Sequence, residues 1–475
     1  MRATHEASEE AGRSPERAPW HVEPRRPAHL RVVVVGGGIA GLTLAHDLQS
    51  GADVIVLEAN PAAGGHAITV REDGFTVEGG PTAFADRRNG PRLLAHQLGL
   101  EDQLLVAPAA VRRRLVVRGR HLCAIPDSAR AILRSELFSP MGKLRLLIEP
   151  LVPHRHGHEE ETVDQFAQRR VGREAAALID AAVAGSIAAG DSRELSLPAA
   201  FPGLGRIERE RGRLLRGFFG REHAVSPEPG LLAFRKGMGQ LVQALVTRLG
   251  PRLRTDTRVT GIEPGANGGT WRVVTVGGTK HDADRVVLAL PSDEAARLIE
   301  PIDAELARLL AARTFAGVAV VALAYRAADL HVTLPGYGYI VPRREHMATL
   351  AVTIESSIFP GRAPDGFILV RVVLGGTRHP EVVNAPEAMR IELAHREFAR
   401  VLGVAALPVH AWTFSWPNAL PQYGMRHRED VAAARILATR HPGVLLSGTS
   451  YEGIGLDAAI EGARAHAAAI LSGVE

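Results

Sequence analysis

Residues 31–58 read RVVVVGGGIAGLTLAHDLQSGADVIVLE. They start with a short β-branched run at 31–35, of the kind found in buried parallel strands, and pass through three glycines into a helical pattern. A second apolar run, DVIVLE at 53–58, follows the helix and ends in an acid. This order of strand, glycine turn, helix and strand predicts a βαβ unit with a parallel sheet.

The glycines of this unit have the spacing G-x-G-x-x-G, at Gly36, Gly38 and Gly41, and Glu58 follows 22 residues after the first of them. The first glycine allows the tight turn, the second lets the backbone approach a pyrophosphate, and the third lets helix and strand pack closely. The pyrophosphate then faces the helix N-terminus, where free N–H groups favour negative charge. Glu58 accepts hydrogen bonds from ribose hydroxyls and repels a 2′-phosphate. The unit therefore predicts a dinucleotide site that disfavours NADP.

Two glycine pairs distinguish FAD from NAD. Gly64 and Gly65 lie six and seven residues past Glu58, and Gly79 and Gly80 follow a strand-like hairpin. Ordinary turns are the alternative explanation, but a pair at this offset resembles the large FAD family of amine oxidases, phytoene desaturases and protoporphyrinogen oxidases. In that family the pair continues the wall around the ribityl and diphosphate portions. The sequence contains no second complete G-x-G-x-x-G unit for NAD, so we expect electrons to pass from an organic substrate to oxygen or another acceptor.

The chain is 475 residues long, which exceeds the size at which one core keeps growing, so two or three domains are expected. The predicted fold class is mixed α/β and α+β, with a Rossmann-like FAD-binding domain, an inserted helical domain and a strand-rich substrate domain. The predicted boundaries are 1–29 for a disordered N-terminal extension, 30–91, 228–299 and 426–475 for the FAD-binding domain, 92–217 for the helical domain and 300–425 for the substrate domain.

Composition excludes several classes of function. The net charge is +4 and the arginines are scattered, which gives no reason to expect nucleic acid as a partner. The single cysteine, Cys123, excludes an internal disulfide and suits a reducing compartment, so we expect a cytoplasmic protein. No apolar run reaches the length of a spanning helix, and FAGVAVVALAY at 315–325 has strand composition. The histidines within 154–158 precede three acids and are interpreted as a solvated loop, so no metal is expected.

The chain resembles the flavin-dependent protoporphyrinogen/coproporphyrinogen oxidase family over nearly all of 31–472. The glycine segments described above are shared across the FAD superfamily, and the match continues through GTSYEGIGLDAAIEGA at 448–463. Three further stretches are more diagnostic of this one family: AGDSRELSLPAAFP (189–202), SSIFPGRAP (356–364) and WPNALPQY (416–423).

This resemblance implies noncovalent FAD and the removal of six electrons and six protons from a porphyrinogen, a small tetrapyrrole, with O2 as the usual acceptor. The flavin carries the chemistry, so no catalytic side chain is expected. The cofactor-binding residues that the glycine turns and the resemblance indicate are Gly36, Gly38, Ile39, Ala40, Gly41, Glu58, Ala59, Gly64, Gly65, His66, Gly79, Gly80, Pro81, Val259, Trp416, Gly448, Gly453, Ile454, Gly455 and Leu456.

The substrate needs an apolar slot with cations that reach its propionates. Alignment to the family places Thr353, Ile354 and Val373 in the slot, with Thr82 and Phe84 at its mouth. Arg87 and Arg88 are the candidates for the propionates, and ordinary surface arginines are the equal alternative. The sequence GPTAF also replaces the more usual GP-Asn/Glu-Ser-Phe of the family, which removes polar side chains near the substrate.

The segment FSPMGKLRLLIEPLVP at 138–153 combines a leucine-rich helical pattern with Lys143 and Arg145. A core-facing amphipathic helix and an interfacial membrane helix both fit this pattern. In the family, the helical middle domain carries a peripheral membrane attachment, which raises the second interpretation to equal weight.

Three other functions fit the sequence less well. Many amine oxidases carry the flavin on a cysteine in the C-terminal glycine turn and use a lysine near flavin N5, but SGTSYEGIG has no cysteine and all three lysines precede residue 281. A carotenoid desaturase does not suit the SSIFPGRAP and WPNALPQY stretches. A non-enzymatic protein that keeps the fold without a cofactor conflicts with the intact glycines and Glu58.

A second glycine turn, at 448–455, follows an apolar strand and precedes a helical pattern near the C-terminus. We expect it to lie opposite the first turn. Gly448 would end the strand near the diphosphate, and Gly453, Ile454, Gly455 and Leu456 would pass beneath the isoalloxazine. The N-terminus of the helix near Asp457 would then face flavin N1 and C2=O, where charge builds up on reduction.

Overall fold

The structure is a computed structural model that describes residues 30–85, 89–108, 115–153, 160–186, 188–211, 230–266, 269–332, 334 and 336–473. The predicted extension at 1–29, the histidine loop at 154–158 and the propionate candidates Arg87 and Arg88 lie outside the described residues.

The strands in chain order are β1 (Leu30–Val35), β2 (Ala52–Leu57), β3 (Thr69–Glu72), β4 (Phe75–Glu78), β5 (Phe84–Ala85), β6 (Leu104–Val106), β7 (Leu115–Arg118), β8 (His121–Ala124), β9 (Leu231–Phe234), β10 (Leu253–Arg254), β11 (Val259–Pro264), β12 (Trp271–Thr275), β13 (Lys280–Ala283), β14 (Arg285–Leu288), β15 (Phe315–Arg326), β16 (Gly338–Ile340), β17 (Thr349–Ile354), β18 (Phe367–Gly375), β19 (His410–Pro421) and β20 (Val444–Leu446).

The α-helices are α1 (Ile39–Leu48), α2 (Asn89–Gln97), α3 (Ala129–Arg134), α4 (Pro140–Leu147), α5 (Val163–Val171), α6 (Arg173–Ser186), α7 (Leu197–Ala200), α8 (Pro202–Arg211), α9 (Gly239–Leu249), α10 (Ser292–Ile299), α11 (Ala304–Ala311), α12 (Glu355–Ile358), α13 (Glu387–Leu402), α14 (His427–Ala438) and α15 (Leu456–Ser472).

A parallel sheet carries the first glycine turn, as the opening segment predicts. Its order is β10-β2-β1-β14-β20, and every neighbouring pair in it is parallel. Its central strands are apolar because helices cover both faces. On one side, α1 packs against both α15 and α9, with a core that includes Leu44, Leu245 and Ile460. The other side buries residues of α10, α11 and α14.

The helix α15 runs parallel to α1. Gly51, just past the end of α1, approaches the side chain of Leu471 near the end of α15, at 2.8 Å from an ideal Cβ position. Arg464 of α15 forms an ion pair with Asp47 of α1, with Nε and Oδ2 3.3 Å apart. The N-termini of both helices therefore point towards the same edge of the parallel sheet.

The chain after residue 253 contributes strands to two different sheets. The runs at 253–264, 271–278 and 283–291 all have strand-like sequences, but only β11, β12 and β13 form an antiparallel sheet. The run that begins after Ala283 instead becomes β14, which pairs with β1 in the parallel sheet. Its Val286, Val287 and Leu288 are fully buried, and a strand that is apolar on both faces suits the interior of a layered sheet.

A seven-stranded sheet follows the order β19-β15-β18-β17-β16-β7-β8 and includes the predicted strand at 315–325 within β15. One face of this sheet, here called the back face, buries Val352, Val372 and Leu374 against Phe398 of α13. The other face, here called the front face, packs against β4 at one end and against α6 at the other. The front face is the side on which the glycine segments 79–80 lie.

The predicted helical segment at 92–217 contains α3 to α8, which pack into one apolar cluster with Phe166 and Leu197. It also contains strands that the helical pattern did not indicate, since β7 and β8 join the edge of the seven-stranded sheet. Within the described part of the chain, no helix is both long enough and apolar enough to cross a bilayer.

Candidate cofactor and substrate site

The two glycine turns lie at one edge of the parallel sheet. Val35 at the end of β1 is in register with Leu288 of β14, and Leu288 is in register with Leu446 of β20. The loops that follow these strands therefore leave the sheet side by side. Ser447 N donates to Leu288 O at 3.1 Å, which extends the pairing into the second turn. The carboxyl edge of a parallel sheet is where open α/β folds bind ligands.

The first turn leaves no room for side chains at two of its glycines. Gly36 has φ +105°, and a Cβ there would overlap the carbonyl oxygen of Ala289. A Cβ on Gly41 would overlap the carbonyl oxygen of Gly36. Gly38 is different, because no atom of the described residues lies within 4 Å of an ideal Cβ position on it. Two glycines are thus required by packing, and the middle one borders open space.

The carboxylate of Glu58 is buried beneath this turn. Its Oε2 accepts from Gly37 N at 2.7 Å, and its Oε1 accepts from Asn60 N at 2.8 Å. These bonds hold the carboxylate at the end of β2, beside the glycine turn. The backbone oxygen of Glu58 accepts from Thr257 N at 2.7 Å, which brings the start of β11 at Val259 close to the predicted ribose position.

The glycine pair at 64–65 contacts the first turn directly. Gly64 N donates to Gly37 O at 2.8 Å, and a Cβ on Gly65 would lie 3.3 Å from the Cα of Gly38. The next residue, His66, approaches the later pair so closely that a Cβ on Gly80 would overlap its carbonyl oxygen. The three glycine segments therefore form one continuous surface, although up to 44 residues separate them in the chain.

The second turn bends sharply at Gly448 and Gly453, with φ +115° and +140°. Gly448 N donates to the Glu452 carboxylate at 2.7 Å, and burial raises the pKa of Glu452 to about 7. Gly455 is the N-cap of α15. The side chain of Ile454 packs against the helical cluster and that of Leu456 against the core of the parallel sheet.

These residues fit a dinucleotide cofactor. Among the described residues, nothing lies within 4 Å of a Cβ built on Gly38 or Gly448, so open space borders both turns. No side chain of the described residues caps α1 or α15, so their first backbone N–H groups have no intrahelical or side-chain partner. Such N–H groups bind anionic oxygens. Asp457 lies in the first turn of α15, which reduces the positive potential of that N-terminus.

The front face of the seven-stranded sheet is tied to the glycine pair at 79–80 by two hydrogen bonds. Trp416 Nε1 donates to Gly79 O at 2.7 Å, and its ring meets the His66 ring edge-on, with centroids 4.8 Å apart. Arg371 Nη2 donates to Gly80 O at 2.8 Å. The glycine segments therefore lie against the front face, and the region bounded by the glycine turns and the partly exposed front-face residues is here called the crevice.

The structure brings together two of the three residues predicted for the substrate slot. Thr353 and Val373 lie on the front face beside Arg371, which is the direct cross-strand partner of Thr353. Both are only partly buried. The placement of Ile354 in the slot is wrong, because it is fully buried in the back-face core with Phe398. Successive side chains of a strand point to opposite faces, so Thr353 and Ile354 cannot share one slot.

The two residues predicted at the mouth of the slot lie in different surroundings. Thr82 is partly buried and follows the glycine pair at 79–80, so its place at the mouth stays a prediction. The expectation for Phe84 is wrong, since it is buried in the core that also contains residues of α1 and α15, and its ring and that of Phe234 have centroids 6.1 Å apart. The pairing of β5 with β9 turns this side chain inward.

Three charged residues of the site were not found from the sequence. Arg371 is a single cation in the apolar strand FILVRVVLG, and that interruption is a signal that the sequence contains. Glu78 precedes the glycine pair at 79–80 and is buried, with Arg362 Nη1 and Met238 N donating to its Oε1 at 2.7 and 2.8 Å. Burial raises the pKa of Glu78, and Arg362 opposes that shift. Glu452 is the third.

An open groove of about 1120 Å³ lies elsewhere, between β3, α2 and α9. Its lining includes the cations Arg71, Lys236 and Arg248. None of the predicted site residues lines it. The crevice between the glycine turns and the front face is therefore the better candidate for the cofactor and substrate.

Comparison with known proteins agrees with this geometry. The family model for flavin containing amine oxidoreductase matches residues 39–471. Protoporphyrinogen oxidase of Homo sapiens is 33% identical, with the match covering 93% of this chain and 98% of the human protein. Coproporphyrinogen III oxidase of Bacillus subtilis (strain 168) is 26% identical, over 91% of this chain and 96% of that protein.

Solved structures share the fold. A crystal structure assigned to a protoporphyrinogen oxidase from Exiguobacterium sp. 255-15 superposes with a TM-score of 0.82 at 23% identity, covering 94% of this chain and 99% of that one. Cyclohexylamine oxidase from Brevibacterium oxydans IH-35A superposes with a TM-score of 0.71 at 16% identity, covering 94% and 99%. The chain belongs to the flavin containing amine oxidoreductase family, in the group that includes the protoporphyrinogen and coproporphyrinogen III oxidases.

Proposed function

We propose that this protein is an FAD-dependent oxidase that converts protoporphyrinogen IX or coproporphyrinogen III into the corresponding porphyrin in haem biosynthesis, with O2 as the electron acceptor. The observation that carries the proposal is the crevice between the glycine turns and the front face. Front-face residues Thr353, Val373 and Trp416 are partly exposed there, whereas their back-face neighbours are fully buried. An apolar, open sheet surface beside the cofactor segments suits a flat macrocycle.

The relatives support the choice of substrate class. The relatives named protoporphyrinogen oxidase and coproporphyrinogen III oxidase match this chain over more than nine-tenths of its length. The three lysines lie in α4, just before α9 and in β13, outside the seven-stranded sheet. An amine oxidase that needs a lysine from this sheet is therefore disfavoured.

The bound flavin would supply the redox chemistry by accepting hydride from the macrocycle, and O2 would regenerate it. Protein residues have the tasks of binding and positioning. Gly36, Gly38 and the N-terminus of α1 would hold the diphosphate, while the buried Glu58 carboxylate would accept from ribose hydroxyls. Cys123, the one cysteine, lies in β8 and not in a glycine turn, so FAD is expected to be noncovalent.

The hydrogen bonds from the front face would keep the crevice at a fixed width. Trp416 holds Gly79, and Arg371 holds Gly80, so the sheet that contacts the substrate is coupled to the segment that contacts the cofactor. Positioning is worth most in a reaction whose driving force comes from aromatisation of the substrate. We therefore assign both residues to alignment of the macrocycle with the cofactor.

A surface formed by α4 and the turn after it would hold the enzyme against a membrane. Met141, Leu144, Leu147, Ile148 and Leu151 are all exposed, with exposed fractions of 72% for Met141 and 81% for Leu151. Several exposed apolar side chains on one short segment mark an interaction surface. The reduced substrate is sparingly soluble in water when it carries few propionates, and a membrane-associated enzyme would meet it there.

The direct test supplies chemically reduced coproporphyrinogen III and protoporphyrinogen IX to the FAD-loaded protein in air. Porphyrin fluorescence is followed against the rate of autoxidation without enzyme, and hydrogen peroxide is measured in parallel. We expect the enzyme to oxidise at least one substrate faster than that substrate autoxidises, and to form three molecules of hydrogen peroxide per molecule of porphyrin. If neither substrate exceeds autoxidation while an amine substrate is oxidised, the proposal is wrong and the protein is an amine oxidase.

A further inference from the structure

Arg371 is an unusual residue for its place in the sheet. It lies in the middle of β18, where its strand neighbours on the front face are Leu369 and Val373, and its cross-strand partners are Ala322 and Thr353. An arginine stays charged in proteins. A charge in an apolar surface costs free energy unless it is paired. The position therefore calls for a negatively charged partner.

The described residues satisfy the charge and hydrogen-bonding groups of Arg371 only in part. The one hydrogen bond of Arg371 goes to Gly80 O, and its Nε is buried without a partner. No carboxylate of the described residues lies within 4.0 Å of its guanidinium. Glu355 has the strongest charge interaction with it among the carboxylates, but the Glu355 Oε1 is bonded to Thr353 Oγ1 at 2.7 Å.

The open side of the crevice is where an anion would reach this cation. Arg371 is only partly buried, and its neighbours Thr353 and Val373 are partly exposed on the same face. The hydrogen bond to Gly80 orients the guanidinium towards the cofactor segment. A carboxylate that enters over the front face would meet the remaining N–H groups, and arginine binds carboxylates with charge-assisted, often bidentate hydrogen bonds.

We propose that Arg371 is a substrate-binding residue that anchors a propionate carboxylate of the tetrapyrrole from the floor of the crevice. This inference rests on the proposed function and adds a named cation to it. Anchoring from the sheet fixes the rotation of the macrocycle, because one edge of the ring is held while the opposite edge faces the glycine turns. It also gives a tetracarboxylate more ways to bind than a dicarboxylate.

The experiment measures equilibrium binding of coproporphyrin III, the tetracarboxylate product, to FAD-loaded protein by porphyrin fluorescence. The Arg371→Met variant should bind it about 10- to 100-fold more weakly, because one charge-assisted hydrogen-bonded pair is lost. Arg371→Lys should recover part of the affinity. Coproporphyrin III tetramethyl ester, solubilised in detergent, should bind wild type and Arg371→Met equally. Arg326→Met, which removes an exposed arginine at the end of β15, is the matched control.

Several outcomes would overturn the inference. Equal affinity of wild type and Arg371→Met for the free acid would exclude a propionate contact. A wild-type protein that does not bind the free acid would exclude it as well. A shifted flavin reduction potential with unchanged porphyrin affinity would assign Arg371 to the cofactor instead. A further outcome is that Arg371→Met lowers both thermal stability and porphyrin affinity, and that the added substitution Glu355→Gln restores both. In that case the role of Arg371 is to neutralise the charge of Glu355. Turnover of wild type with the porphyrinogens reports separately on the proposed function.

Discussion

The indole Nε1 of Trp416 lies 2.7 Å from the carbonyl oxygen of Gly79 and donates a hydrogen bond to it. Trp416 belongs to β19, at the edge of the seven-stranded sheet, and Gly79 follows β4 in a segment 337 residues earlier in the chain. This contact joins the surface that would carry the substrate to the segment that would line the cofactor. It is one of two hydrogen bonds by which the described residues of the front face hold the glycine pair at 79–80.

Trp416→Phe should weaken the enzyme without unfolding it. Phenylalanine keeps most of the packing but loses the bond to Gly79, which is worth about 1 kcal/mol in a partly buried site. We expect turnover to fall about fivefold, with nearly unchanged thermal stability of the protein. Steady-state kinetics and thermal denaturation check this together. Trp271→Phe, which loses a bond to Pro442 O far from the crevice, is the control and should leave turnover unchanged.

Glu58→Gln should reduce the affinity for FAD. The amide keeps the shape of the side chain but replaces one acceptor oxygen with a donor that faces Gly37 N or Asn60 N. Charge-assisted bonds to the cofactor are also lost, so we expect an affinity about 10- to 100-fold lower. Quenching of flavin fluorescence on titration into apoprotein measures this. Glu263→Gln, at an exposed position of β11, should bind FAD like the wild type.

Gly455→Asp should abolish retention of FAD. A Cβ on Gly455 would overlap the Asp457 carboxylate, and a second negative charge would lie at the N-terminus of α15. The absorbance of flavin at 450 nm relative to protein at 280 nm after gel filtration reports retention. Gly203→Asp is the matched control, because Gly203 is exposed in α8 and no described atom lies within 4 Å of its Cβ position. Full flavin content in Gly455→Asp would show that the turn is only structural.

Glu452 should make stability depend on pH in a specific direction. Its pKa is raised by burial to about 7 from an ordinary value near 4.5, and the bond from Gly448 N opposes that rise. The native state then binds more protons than the unfolded state between these values, so the free energy of unfolding falls as pH rises from about 4.5 to 7. Over the full range this amounts to about 3 kcal/mol, since one pKa unit is about 1.4 kcal/mol.

Urea unfolding of wild type and Glu452→Gln at pH 5 and pH 7.5 isolates this effect. Glutamine stays neutral, so we expect the difference in unfolding free energy between variant and wild type to increase towards pH 7.5 in favour of the variant. His466, whose Nε2 lies 3.8 Å from the Glu452 Oε1, has a pKa lowered by burial, so the same urea series on His466→Gln separates its contribution. A pH-independent difference would contradict the prediction.

The double variant Met141→Ser/Leu151→Ser should reduce binding to membranes. Each of these exposed side chains contributes about 1.5–3 kcal/mol when it leaves water. The partition coefficient of the protein between vesicles and water should therefore fall by at least about tenfold. Co-sedimentation with vesicles of mixed neutral and anionic phospholipid measures it. Leu407→Ser, at a similarly exposed leucine (74%) before β19, is the control. If the wild type does not bind vesicles, the membrane proposal is wrong.

The sequence alone predicted the elements whose signals are local. The glycines at 36, 38 and 41, the two flanking strands and Glu58 lie within 28 residues, and each has a requirement that follows from backbone geometry: a positive φ, a close helix–strand contact or an acid at a strand end. The second glycine turn could also be placed at the same edge, because a strand followed by a glycine turn and a helix repeats the pattern of the first.

Tertiary structure decided which side chains share the crevice. Period-two alternation shows that a strand has two faces, but only the pairing with neighbouring strands shows which face meets the glycine segments. Thr353 therefore faces the crevice while Ile354 enters the back-face core, and Phe84 turns inward because β5 pairs with β9. Arg371 reaches Gly80 across 291 residues of sequence. Local propensity acts only between residues that are close in sequence, whereas the pairing and packing of strands bring distant residues into contact.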